Sequence, residues 1–189
     1  MLLVKGAFPL PSVNQIIARA SVAKGTVYLY FTSKEEIYLS LLAQYFDGFT
    51  KGFLDIIEQS EAGNLIDNFS AGFIEFADQQ PKAVYLASIV PLILENNVSD
   101  DYLIGFKKSL NASSQEISMA MAKVVQSERH QEIFIRFLQS YSLFLASWQH
   151  CNPPSHVRDL MHEHGLDGLI YDFSVEFKAQ MHRTWVDLI

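Results

Sequence analysis

The feature that most constrains this chain is a run of apolar residues returning every three or four positions: Ile37, Leu41, Leu42, Tyr45, Phe46, Phe49, Phe53, Leu54 and Ile57. That period matches one face of a long α-helix and not a β-strand, whose faces alternate at every second residue. Similar spacing predicts further helices at about 65–80, 82–96, 100–127, 130–150 and 169–188. Gly63-Asn64, Pro81, Asn96-Asn97 and "CNPPSH" (Cys151 to His156) mark the breaks between them. With no alternating strand pattern, internal repeat or low-complexity segment, the expected fold class is all-α.

Other classes are excluded by composition. An apolar fraction of 49% in 189 residues supports a packed core rather than disorder. One cysteine, Cys151, rules out an intramolecular disulfide framework and suits a reducing compartment. The longest apolar passage, "AVYLASIVPLIL" (Ala83 to Leu94), contains Pro91 and falls short of the roughly 20 residues of a membrane span. The opening "MLLVKGAFPLP" has neither the basic start nor the full apolar stretch of a signal peptide. A soluble, cytoplasmic protein without membrane contact or cofactor is therefore expected.

Charge is unevenly placed. The chain carries a formal net charge of -7, yet residues 1–34 hold Lys5, Arg19, Lys24 and Lys34 with no acidic residue, leaving -11 on the remainder. A basic tip on an acidic body lets one face approach phosphates while the rest repels polyanions.

Within that tip, Ser12 precedes "VNQIIARA" as an N-cap, and "SVA" interrupts it before a second short helix, "KGTVYLYF". Ser33 then caps the long helix, with Glu35 and Glu36 in its first turn, where carboxylates complement the helix dipole. Two short helices joined by a tight turn describe a helix-turn-helix, whose second helix enters the DNA major groove. Lys24 stands where it reaches a base edge or phosphate, and Gly25 permits close backbone approach. Thr26, Tyr28, Tyr30 and Lys34 supply groups that bond phosphate oxygens. Val22, Val27 and Phe31 are expected to face inward and hold the pair together.

The stretch "SVNQIIARASVAKGTVYLYFTSKEEI" (Ser12 to Ile37) resembles the DNA-binding signature of the TetR/AcrR family of transcriptional regulators, with Lys24, Gly25, Tyr28, Phe31, Lys34 and Glu35 in register. The resemblance implies a homodimer on a double-stranded DNA operator with two half-sites, and a C-terminal ligand-binding domain. Carried over by position, Ser12 would touch phosphate, Lys24 and Gly25 would face the groove, and Thr26, Tyr28, Tyr30 and Lys34 would anchor the backbone. Leu29 stands where the family often has His or Tyr, offering an apolar contact such as one to a thymine methyl. Ser21 replaces a usual turn glycine and Ile17 a usual small residue. The family has a full helix ahead of this pair. Only "MLLVKG" stands there, so a truncated first helix is expected.

The organisation implied is a helix-turn-helix module over residues 1–36 and a helical effector-binding and dimerisation domain over 37–189. Phe73, Phe76, Tyr85, Met119, Phe137, Tyr141, Phe144 and Trp148 are candidate effector-binding residues, although each one separately fits ordinary core. As a group they suggest an apolar cavity for a hydrophobic or aromatic effector. The last two long helices carry more apolar residues than one buried face needs. That fits the family's four-helix dimer interface, or a central helix buried all round.

His150, Cys151, His156, His162 and His164 cluster in sequence but match no zinc spacing, which favours a polar loop over a metal site. No catalytic constellation stands out, so an enzyme is not expected. The expected function is a ligand-responsive transcriptional repressor released from DNA by its effector. The alternative is a helical ligand-binding or interaction module whose helix-turn-helix no longer binds DNA.

Overall fold

The computed structural model describes residues 10–188, so the expected truncation of the first helix lies outside the described residues. Among those residues there are α-helices and short 3-10 and π turns but no strand, as the periodicity requires. The helices are α1 (Val13–Ala20), α2 (Lys24–Tyr28), α3 (Lys34–Glu58), α4 (Leu65–Gln79), α5 (Pro81–Ile89), α6 (Asp100–Val124), α7 (His130–Cys151), α8 (Ser155–Glu163) and α9 (Phe173–Trp185).

Local chemistry sets most boundaries. Ser12, Ser33, Ser99 and Asp172 cap α1, α3, α6 and α9, each accepting a hydrogen bond from a first-turn amide that would otherwise lack a partner. Pro81 opens α5 at a position where a missing N–H costs nothing. Pro91 stops that helix from continuing to residue 96: the chain widens into a π-helical turn, Val90–Leu94, followed by a 3-10 turn, Glu95–Asn97.

Two further expectations are corrected. The region after Cys151 is not a plain polar loop, because Pro154 and Ser155 start the short helix α8. The final helix begins at Phe173 rather than 169, since a 3-10 turn at Asp167–Leu169 precedes its cap, Asp172.

The body is organised around α3, which packs against α4 on one side and α6 on another, while α7 packs with α5, α6 and α9. The aromatic excess is spent here. Phe73 has ring centroids of Phe49, Phe53, Phe69, Phe144 and Phe177 within 4.7 to 5.6 Å, most of them edge-on or tilted. Such pairs are worth about 0.5–1.5 kcal/mol each beyond the area they bury. At the far end of α9, Trp185 is buried and donates its indole N–H to the Ser140 hydroxyl at 2.9 Å, which satisfies both polar atoms inside the core.

Candidate nucleic-acid interface and its connection to the body

The small module begins with a reciprocal cap: the Ser12 hydroxyl accepts from the Gln15 amide, and the Gln15 side chain accepts from the Ser12 amide at 2.8 Å. Ser21 closes α1 in the left-handed conformation, φ 55°, with its amide bonded back to the Ile17 carbonyl. A glycine adopts that backbone with least strain, so the turn is built on the geometry glycine would give, with serine in its place.

The second helix, α2, is shorter than expected because Leu29 and Tyr30 continue only as a turn. Lys24, Gly25, Thr26 and Tyr28 are exposed; Leu29 is 81% and Tyr30 74% exposed. The Lys24 ammonium lies 5.7 Å from the centroid of the Tyr28 ring. Val27 and Phe31 are partly sheltered, as expected, but Val22 is not: it is exposed in the turn. At Gly25 a β-carbon would meet no atom within 4 Å, and the backbone is not left-handed there. Among the described residues nothing requires glycine at this position. A bare backbone facing outward suits the close approach of a large partner.

Lys34 is half-sheltered and paired with the nearly buried Glu35 at 3.7 Å, so part of its charge is already answered within the chain. Glu36 does more than complement a dipole. It is 2% exposed, and its carboxylate accepts from the Thr32 amide at 2.6 Å and the Thr32 hydroxyl at 2.7 Å. It also accepts from the Ser99 hydroxyl at 3.3 Å and the Ser99 amide at 3.4 Å. The backbone carbonyl of Glu36 accepts the Tyr102 hydroxyl at 2.9 Å. Burial opposes ionisation of this carboxyl most strongly, but the bonds from Thr32 and Ser99 together outweigh it and hold its pKa below the ordinary range.

One side chain thus joins the exit of the small module, the start of α3 and the start of α6. A second tie runs from Tyr38, whose hydroxyl donates to the Pro11 carbonyl at 2.9 Å. Burial first, then the charge of Glu35 and the neighbouring Tyr85, push that phenol up to about 12, so it remains a donor. Sequence reasoning missed Ser99 and Tyr102 as members of this junction. Ser99 lies 63 positions from Glu36, beyond the reach of any local pattern.

Two independent matches cover nearly all of the chain. Residues 2–41 match the family described as bacterial regulatory proteins, tetR family, and residues 43–185 match the tetracyclin repressor-like C-terminal domain. The chain belongs to the tetR family of bacterial regulatory proteins. It is accordingly a DNA-binding transcriptional regulator, and α1 and α2 are the helices of its helix-turn-helix. No curated protein matches the chain.

The eight candidate effector residues of this tetR-family body do not gather around one space. Phe73, Phe137 and Phe144 are buried in the aromatic core, and Tyr85 is buried on α5. Met119 is 65% exposed, on the outer face of α6, because the adjacent Ile117, Ser118 and Met121 occupy the inward positions. Phe76 lines a groove between α3 and α4, Trp148 lines a polar cleft with Asp78, Arg158 and Asp172, and Phe137 and Tyr141 line a narrow crevice between α3, α6 and α7.

Apolar side chains are exposed on the outward faces of the last helices, Ile135 and Leu138 on α7 and Val175 on α9, with Val186 just beyond it. Among the described residues no group of three or more His, Cys, Asp or Glu could hold a metal. His150 bonds the Leu169 carbonyl and stacks on Tyr171, while His162 pairs with Asp167. Among those residues, too, no helix is long and apolar enough to cross a membrane.

Proposed function

We propose that this regulator is a homodimeric, cytoplasmic repressor that leaves its operator when a small hydrophobic or aromatic effector enters the helical body. The observation that carries the reading is the outward α2. With the turn that follows, it presents Lys24, the bare backbone of Gly25, Thr26, Tyr28, Leu29 and Tyr30 together, on a module tied to α3 and α6 through Glu36. Lys24 and Gly25 face the groove, Leu29 offers an apolar surface to a thymine methyl, and Ser12, Thr26, Tyr28, Tyr30 and Lys34 hold phosphates.

Two half-sites lie one helical turn of DNA, about 34–36 Å, apart or at multiples of that spacing. A dimer formed through the exposed apolar faces of α7 and α9 would set the separation of two such modules. Tilting α3 in either subunit changes that separation and ends simultaneous engagement.

Fluorescence anisotropy with duplex DNA from upstream of the regulator's own gene tests the reading. Sequence-specific binding should fall steeply with salt and weaken in a Tyr28→Phe, Lys34→Ala double variant. Undiminished binding by that variant counts against the assigned phosphate contacts, and absence of any sequence-specific binding refutes the operator reading.

A further inference from the structure

The crevice between α3, α6 and α7 differs in its chemistry from the groove between α3 and α4 and from the polar cleft beside Trp148, which both hold charged side chains. It is lined by Phe46, Phe49 and Thr50 of α3, by Leu110, Ser113, Ser114 and Ile117 of α6, and by Phe137, Leu138 and Tyr141 of α7, without a single charged side chain. Half-exposed Ser113 on α6 brings it to the molecular surface, while Leu138 borders the proposed dimer face. Two of its hydroxyls are satisfied by their own helices: Thr50 donates to the Phe46 carbonyl at 2.9 Å and Ser114 to the Leu110 carbonyl at 2.8 Å. The Tyr141 hydroxyl is different. Among the described residues it has no hydrogen-bond partner, although its ring packs beside Phe46 at 6.1 Å.

A phenol that lines such a crevice without a partner in the protein keeps its donor and its acceptor for solvent or a ligand. Burial also raises the Tyr141 pKa far above the ordinary tyrosine range, so the group is a proton donor at any physiological pH. A carboxylate entering here would lose its hydration with no cation to meet it.

We infer that this crevice is the effector site, and that it takes an uncharged, mainly apolar molecule with one acceptor oxygen for Tyr141. The inference rests on the effector reading above. The crevice is about 40 Å³, against the roughly 150 Å³ that admits a benzene ring. An organic molecule therefore enters only by spreading the helices, and one of these, α3, carries the DNA-binding module.

Three probes of similar size separate the possibilities: acetophenone, which has an acceptor oxygen; ethylbenzene, which has none; and benzoate, which is charged. Methyl chemical shifts of Ile117 and Leu138 report occupancy of the crevice and give each Kd. In the unaltered protein acetophenone should bind about three- to tenfold more tightly than ethylbenzene, and benzoate should not register. Tyr141→Phe, which keeps the ring, should abolish that preference, and Ser113→Phe should block both neutral probes. A preference unchanged in Tyr141→Phe, binding of benzoate at least as tight as acetophenone, or no shift at Ile117 and Leu138 with any probe overturns the assignment.

The effector reading fails separately. Acetophenone that binds through Tyr141 yet leaves operator DNA bound refutes regulation through this site and leaves the site standing. Release of DNA by a compound that is indifferent to both substitutions refutes the site and leaves regulation standing.

Discussion

Replacing Gly25 with alanine should move stability and DNA affinity in opposite directions. Gly25 lies in the first turn of α2, its backbone is not left-handed, and an added β-carbon meets nothing within 4 Å. Inside the chain the substitution therefore carries only its helix-propensity benefit, at most about 1 kcal/mol and about half that so near a helix end. For a chain of this size that raises Tm by about 1–4 °C. On DNA the same methyl group stands where the backbone is proposed to approach the groove. Displacing the helix there should cost about 1–3 kcal/mol per half-site, the scale of a mismatched base contact. Both half-sites of a dimer feel it, so affinity falls at least about thirtyfold. Thermal unfolding by circular dichroism and operator anisotropy at one fixed salt concentration measure the two effects. A variant that is stabilised but binds DNA unchanged would show that Gly25 does not face the duplex. A destabilised variant would show that the packing argument is wrong.

Three further outcomes follow from the geometry. Glu36→Ala removes a buried carboxylate and leaves the Thr32 and Ser99 amides without it, so denaturant unfolding should report a loss of about 2–4 kcal/mol. Because the folded pKa of Glu36 is lowered, its ionic contribution is fully present above the ordinary carboxylate pKa of 4.5 and is lost as pH falls through the folded value; the variant should lack that part of the acid dependence. Ser21, at φ 55°, should accept glycine with a gain of up to about 1 kcal/mol and lose more than that with valine, as unfolding midpoints would show. Ile135→Asp on the outer face of α7 should leave helical content unchanged while light scattering shows monomers and operator affinity collapses; an intact dimer places the interface elsewhere.

Much of the architecture was legible because it rests on local signals. The serine caps at 12 and 33 and the periodicity from Ile37 to Ile57 are written in consecutive residues, and the helices form where those signals lie. Pro91 lay inside the helix expected at 82–96, and the π turn formed there depends on how Val90 and Leu94 are buried against the body. In the module the outward residues of α2 followed from motif register. Val22 was misjudged because a turn residue has no periodicity to fix its side.

The aromatic residues were harder to read. Composition shows an excess, but not whether rings fill space or line it. Phe73 and Phe144 fill it with each other, whereas Tyr141 is singled out only by a hydroxyl lacking a partner, which no sequence pattern reveals. Glu36 was equally opaque, since its partner Ser99 lies 63 positions away.

That separation has a consequence for how the protein is made. During synthesis the helix-turn-helix leaves the ribosome well before Ser99 and Tyr102 exist to close on Glu36, so its hold on α3 is incomplete until α6 has begun to form. A nascent chain that ends before α6 carries the reading head without the clasp that sets its angle. A reading head held at its working angle is thereby reserved for chains that have also built the start of α6.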